Sequence, residues 1–267
     1  VEVDGAAYWL SENGFFRYAG KLESLPCLVE DFVFDDINIS SGNQMISAGL
    51  NNLFGEIMWF YPSATSSVVN KMVCYNYFDS SPQRPVWTIG TLDRTMWKDS
   101  AVFGLPHALD YDADTDTSFD VVGNTEGRTA YYEHETGTDQ NKNGTITAIT
   151  ANILSGDFDI TQQLQRGQVS GTATFRGDGE FLMKVRRFIP DFVSQTGNTQ
   201  VTLNLKNYSN DTAASSSLGP FTITSSTTKV DTRARGRAVA LKVENTGTGQ
   251  DWKIGTFRLD IQPDGRR

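Results

Sequence analysis

Two runs of oxygen-bearing side chains carry the spacing of a hard-cation site. Asp110, Asp112, Asp114 and Asp116 alternate in LDYDADTDTSFD, and Asp139-Gln140-Asn141-Lys142-Asn143-Gly144 matches the opening of a calcium loop. Such a loop offers alternate carboxylate and amide oxygens, needs Gly at its sixth position for a sharp turn, and closes with a bidentate Glu at its twelfth. The first run has Thr115 in place of the glycine, and the second has Thr150 in place of the glutamate. Asp110, Asp112, Asp114, Asp139, Asn141 and Asn143 are therefore weak calcium candidates. Solvated turns are the favoured reading of both runs, with Asn143-Gly144 a hairpin tip.

The chain has two histidines, His107 and His134, the second between Glu133 and Glu135. No HExxH or GxSxG pattern accompanies them, so metal-hydrolase and serine-hydrolase constellations are unsupported. The glycines fall in turns rather than in a P-loop or dinucleotide fingerprint. Asp and Glu are plentiful enough for a glycosidase pair, but no pair stands out. Trp9, Trp59, Trp87, Trp97 and Trp252 read as core residues rather than sugar-stacking platforms. No catalysis and no cofactor are expected, and the alternative to a structural role is a carbohydrate-binding β-protein of a fibre or secreted type.

The most distinctive charged feature is TRARGRAVALKVE, in which Arg233, Arg235 and Arg237 share one face of an extended strand under period-2 geometry. A guanidinium row binds phosphates, or pairs with carboxylates within the chain or across a subunit interface. With Arg258, Arg266 and Arg267 these residues are the candidates for a subunit interface or a phosphate-facing surface. They sit in a basic segment, residues 228–267, with 9 Lys+Arg against 5 Asp+Glu; residues 1–227 hold 14 against 27. The whole chain has a net charge of −9, which argues against a protein that coats nucleic acid nonspecifically by neutralising its phosphates.

The elements that must position these groups read as β almost throughout. With 38% hydrophobic and 11% aromatic residues, the 267-residue chain has material for one large or two medium cores. No apolar run approaches the roughly 18 residues of a membrane-spanning helix, and no direct membrane insertion is expected. Cys27 and Cys74 read as buried thiols. The sequons at Asn38, Asn143, Asn207 and Asn210 carry meaning only in a eukaryotic secretory pathway.

Ala6–Leu10 and Phe15–Tyr18 flank a Ser-Glu-Asn-Gly turn and predict a hairpin. Met45–Leu50, Glu56–Tyr61, Met72–Phe78 and Val86–Gly90 then predict four strands in about 46 residues, the period of a propeller blade. A weaker set starts at Ala101 and includes Thr129–His134, and residues 26–37 predict a short helix. One full blade and two partial ones cannot close a ring, and Val1 is not an initiator Met, so the chain is expected to be the end of a longer propeller. From about residue 145, alternating strands at Thr145–Ile153, Gly179–Val185, Val201–Leu205, Phe221–Thr224, Ala238–Val243 and Trp252–Ile261 predict a sandwich or jelly-roll-like domain. Residues 207–217 predict an exposed loop. The expected class is all-β, with partial β-propeller blades over 1–144 and a β-sandwich with basic terminal strands over 145–267.

Several strings carry a resemblance: DGAAYWLSENGFFRYAG, EIMWFYPS, VCYNYFDSSPQRPVWTIGTLDRT, YYEHETG with SGDFDI, and above all TRARGRAVALKVEN with WKIGTFRLDIQPDGRR. They resemble the carboxy-terminal half of tail hub, or nozzle, proteins of short-tailed bacteriophages, also called packaged-DNA stabilisation proteins. The resemblance spans nearly the whole chain and includes no catalytic motif. It implies a virion structural protein assembled as a ring of about six copies below the portal and its adaptor. Such a ring extends the DNA channel, helps retain the packaged genome, and carries or contacts tail fibres, spikes or a needle. The implied location is the virion tail, assembled in the host cytoplasm, with double-stranded DNA passing without tight binding. Members of that family are longer on the amino-terminal side, which agrees with the open propeller.

Overall fold

The computed structural model describes residues 1–38, 40, 45–100, 103–112, 128–142, 144–160, 181–208, 211, 214 and 216–266. The fold is all-β, its described residues forming antiparallel sheets with one short helix. The chain divides into two compact units, Val1–Thr136 and Gly137–Arg267.

In the first unit, β1 (Glu2–Val3), β2 (Ala6–Ser11), β3 (Gly14–Tyr18) and β4 (Leu22–Ser24) form a meander in sequence order. The predicted hairpin is there, with Ser11 opposite Gly14, so the two-residue loop is Glu12-Asn13. Gly14 opens β3 at a φ of 124°, a conformation closed to side chains with a Cβ. After α1 (Glu30–Asp36) come β5 (Ser47–Asn51), β6 (Glu56–Tyr61), β7 (Lys71–Asn76) and β8 (Trp87–Gly90), a second four-stranded meander close to the predicted bounds. β9 (Met96–Lys98), β10 (His107–Asp112) and β11 (Arg128–Glu133) form a third sheet, ordered β11-β10-β9. Two four-stranded sheets are thus present where one was expected, because short strands pair on both edges of the first hairpin. Ala101 and Val102, from which the third set was expected to start, lie outside the described residues.

β6 explains why the middle sheet sits where it does. Its EIMWFY run is buried from Ile57 to Tyr61 without alternation, so both faces of the strand are covered. Ile57, Trp59 and Tyr61 enter one core with Tyr8, Phe15 and Val33, where the Phe15 ring lies 5.0 Å from Trp59 and 4.6 Å from Trp87. Met58 and Phe60 enter another core on the opposite face, where Trp97 of β9 stacks on Phe60 at 5.9 Å. Trp97 also donates its indole N–H to the Leu50 carbonyl, 2.9 Å, and lies directly over Gly49.

The second unit contains β12 (Asp139–Lys142), β13 (Thr145–Ala148), β14 (Ala151–Leu154), β15 (Phe181–Ile189), β16 (Phe192–Thr196), β17 (Thr199–Lys206), β18 (Ser216–Ile223), β19 (Val230–Gly236), β20 (Ala238–Asn245), β21 (Asp251–Ile254) and β22 (Arg258–Arg266). Sheets β14-β20-β17-β18 and β19-β15-β22 share one core, and β12-β13 and β16-β21 are two-stranded ribbons. β17 alternates buried and half-buried at every position, with Val201, Leu203 and Leu205 inside. That is the period-2 signature of a strand covered on one face.

Three predicted spans differ here. Thr145–Ile153 is two strands in separate sheets, because the buried Asn245 amide accepts from the Ala151 N–H, 3.2 Å, and donates to the Ile149 carbonyl, 2.9 Å, at the break. Trp252–Ile261 is likewise two, since Gly255 turns in to donate to the Asp191 carbonyl, 2.7 Å, at a spot where a Cβ would come within 2.9 Å of that oxygen. The loop expected over 207–217 ends early, as β18 begins at Ser216 and pairs it with Leu205.

Both faces of the middle sheet are open to test. Phe15→Ala is expected to lower unfolding free energy by about 3–5 kcal/mol, read as a drop in urea midpoint. Gly49→Ala, whose Cβ would lie 2.6 Å from Trp97 Cγ, is expected to cost about 1–3 kcal/mol through overpacking.

Candidate functional site

The arginine row lies on the outer face of the β19-β15-β22 sheet. Along β19, Ala234 points into the core while Asp231, Arg233 and Arg235 alternate on the exposed side. The strand ends at Gly236, one residue before Arg237, whose backbone N–H donates to the Lys206 carbonyl, 2.9 Å. Within β19 the exposed positions are Asp231, Arg233 and Arg235, a strip of mixed charge.

Its neighbours on the same sheet neutralise part of it. Arg235 Nε lies 2.6 Å from the Asp264 carboxylate, and a second guanidinium N–H donates to the Asp264 carbonyl at 3.2 Å. Arg187 Nε sits 3.3 Å from Asp231 and 3.7 Å from Asp260, charge contacts without hydrogen-bond alignment. Lys229 pairs with Asp231 at 3.3 Å. Register explains these contacts, since Arg187 stands opposite both Asp231 and Asp260. Among the described residues, Arg186, Arg233 and Arg258 are exposed and form no ion pair. The backbone of Arg266 pairs with Phe181 at the end of β22, and Arg267 lies outside the described residues.

A second constellation, without a motif to announce it, surrounds both histidines in the first unit. Arg94 is buried, donates its Nε–H to His134 Nε2 at 3.0 Å, and pairs with the exposed Asp93 carboxylate at 2.5 Å. Its guanidinium lies 3.8 Å from the centroid of the Tyr132 ring, a cation–π contact in a dry site. His134 also packs against Trp97 at 4.6 Å, and its backbone N–H donates to the Pro106 carbonyl at 2.8 Å. The buried His107 shares a 2.5 Å hydrogen bond between its Nδ1 and the Tyr131 hydroxyl. Burial, followed by the Arg94 charge, pushes the His134 imidazole down to about 4. At neutral pH His134 is thus an uncharged acceptor for Arg94, which suits a polar clamp between residues 93–97 and the end of β11 rather than a proton shuttle.

The calcium candidates are described only in part. Asp110 is buried within β10, opposite Ala130, and the backbone of Asp112 ends the same strand. Asp114 and Asn143 lie outside the described residues. Asp139 instead accepts the Gly249 N–H with both carboxylate oxygens, 2.9 and 2.8 Å, and Asn141 accepts the Gly144 N–H at 3.0 Å across the β12–β13 turn. Among the described residues no group of three or more His, Cys, Asp or Glu side chains is placed to hold a metal. None of the five tryptophans is exposed. Cys74 is buried and Cys27 half-buried, both unbridged, with burial pushing their thiols up to about 12 and about 11.

Charge divides with the fold. Val1–Thr136 holds 7 Lys+Arg against 20 Asp+Glu, net −13, and Gly137–Arg267 holds 16 against 12, net +4. No protein-family model matches the chain, and no curated protein matches its sequence.

The Arg94–His134 contact has a pH signature. An unfolded imidazole takes a proton near 6.5, whereas the folded His134 resists to about 4. Its contribution to stability is complete above 6.5 and is lost as pH falls toward 4, because the unfolded chain gains the proton first. In His134→Gln, which keeps an acceptor and cannot titrate, the fall in urea midpoint between pH 7 and pH 4.5 is expected to be smaller than in the parent chain.

Proposed function

We propose that this chain is a virion structural protein, a tail hub or nozzle subunit of a short-tailed bacteriophage, whose copies form a ring that extends the DNA channel below the portal and adaptor. The reading starts from the strings that resemble that family. The observation that carries it furthest is the partition of charge between two compact units, with exposed cations on the basic one. Arg186, Arg233 and Arg258 have no ion pair among the described residues, and the acidic unit of the next copy supplies carboxylates for them. Two unlike surfaces that fit one another make a heterologous contact, which closes into a ring when its rotation allows.

The acidic first unit suits the conduit. Every phosphate that a channel neutralises adds affinity that must be lost again during ejection, so a wall of like charge lets the duplex slide. The stacked four-stranded meanders agree with propeller blades. Retention of packaged DNA and attachment of fibres, spikes or a needle follow from the same position on the tail axis.

Electron microscopy of virions and of the purified protein tests the reading, with closed rings of about six copies on the tail axis expected. Contacts between exposed charges are screened beyond about 10 Å at 0.1 M salt, so rings are expected to dissociate as salt rises. Arg233→Glu is expected to weaken assembly while leaving the unfolding free energy of the chain within about 0.5 kcal/mol of the parent. A monomer at every ionic strength, or glycan-array binding by that monomer, would overturn the assignment.

A further inference from the structure

The first unit presents an apolar sheet face at both ends of its stack. Its three sheets lie in order, with β1–β4 and β9–β11 on opposite faces of β5–β8. β2 and β3 send Tyr8 and Phe15 into the core they share with β6, and the alternate residues point the other way. There Trp9 and Phe16, cross-strand partners, stack with ring centroids 5.9 Å apart, and Tyr18 pairs with Leu22 beside them. Trp9 and Phe16 belong to none of the described cores, and Tyr18 and Leu22 are more than half exposed.

The far end of the stack has the same character. Trp97, Ala108 and Tyr132 form one cross-strand row on the side of β6, and Met96, Leu109 and Tyr131 form the next row, on the opposite face. Met96 and Tyr131 are more than half exposed, and Leu109 belongs to none of the described cores. The Tyr131 ring is held by the His107 imidazole, on which it stacks at 5.2 Å and to which its hydroxyl is bonded. Each end therefore carries a preset aromatic pair with aliphatic neighbours, a surface that loses little side-chain freedom on contact.

Chemistry and area together decide what covers these faces. The contact they would make is already made twice inside the unit, where Phe15 meets Trp59 and Phe60 meets Trp97. One end of a copy thus fits the opposite end of another as neighbouring sheets fit within a copy, about 10 Å apart. Strand lengths and spacings give each face roughly 300 Å². A single contact then removes roughly 600 Å² from water, short of the roughly 1,000 Å² that a stable interface needs. Two copies that meet at both ends make two contacts and reach roughly 1,200 Å². Their six sheets fall within the about 4–8 blades of closed propellers.

We propose that a second copy of this chain covers both faces: the β1–β4 end of each copy packs on the β9–β11 end of the other, closing six sheets into one two-chain propeller. The pairing is apolar and stands independently of the charge-driven ring proposed above.

Sedimentation of the full chain in about 1 M NaCl tests it, because exposed charges are then screened beyond about 3 Å while apolar contacts persist. A species of twice the 29.5 kDa chain mass is expected. Leu22→Arg, which puts a charge into both contacts at once, is expected to weaken pairing by about tenfold or more with an unchanged circular dichroism spectrum, and Leu22→Met to preserve it. Because the two faces are unlike, Leu22→Cys mixed with Met96→Cys, both in a Cys27→Ser background, is expected to yield cross-linked pairs with a bismaleimide that neither variant yields alone. A monomer at every concentration, an open polymer, or pairing untouched by Leu22→Arg would overturn the closed pair. Should Leu22→Arg fail to fold, Tyr18→Arg takes its place and the same loss is required. Pairs that persist in high salt without rings at low salt sink the ring and keep the pair, and rings at low salt that fall to monomers in high salt do the reverse.

Discussion

The first unit depends on a strand buried on both sides. β6 sends alternate side chains into two different described cores, with Trp59 on one face and Phe60 on the other, and β7 beside it divides Val73 and Cys74 in the same way. Each aromatic removes a large apolar area from water, at roughly 25 cal/mol per Å², and the geometry of ring contacts sets how the neighbouring sheets lie on it. Phe15 comes from the sheet on one side and Trp97 from the sheet on the other. Gly49 is the concession that lets the Trp97 ring approach β5. A stack of sheets can lengthen by repeating this contact, whereas a sandwich ends after two layers.

The second unit solves the same problem with one core and one outer face. Val201, Leu203 and Leu205 of β17 point inward with Val185 and Phe188 of β15, so the opposite face of each sheet is left to polar and charged residues. On β19-β15-β22 those residues are arranged with opposite charges across strands, as in Arg235 with Asp264 and Arg187 with Asp231 and Asp260. Exposed pairs of this kind contribute about 0–1 kcal/mol each. The apolar inner face therefore holds the unit together, and the charged outer face remains free for another task.

Local pattern made the regular strands legible. The unbroken EIMWFY run and the alternating TQVTLNLK run announced β6 and β17, and the Asn-Gly dipeptides announced two hairpins. The breaks were hidden because their causes are distant in sequence: Asn245 ends the strand near Ile149, and Asp191 draws in Gly255. The arginine row was legible as an extended face, but not its end at Gly236 or the Asp264 partner, which depend on register with β15 and β22. Arg94 gave no signal, since one arginine in TLDRT has no pattern until Tyr132 and His134 are brought to it. The contact of Asn51 with Glu135 was equally silent, because the two residues are far apart in the sequence.

These observations leave one electrostatic problem with different local answers. Arg94 is a buried cation, and it is satisfied inside the chain by Asp93, the Tyr132 ring and a histidine that burial keeps neutral. The outer face of the β19-β15-β22 sheet cancels part of its charge by cross-strand pairing. The first unit, with 20 acidic and 7 basic residues, has no such internal reserve. Self-repulsion of that size opposes compactness until counter-charge arrives from outside. The basic surface of a neighbouring copy is the source that the ring assembly proposed above would supply. Such a surface would act between exposed charges and would be weakened by salt. A chain whose two units carry opposite net charge, −13 and +4, has the electrostatic complement that the ring assembly proposed above requires.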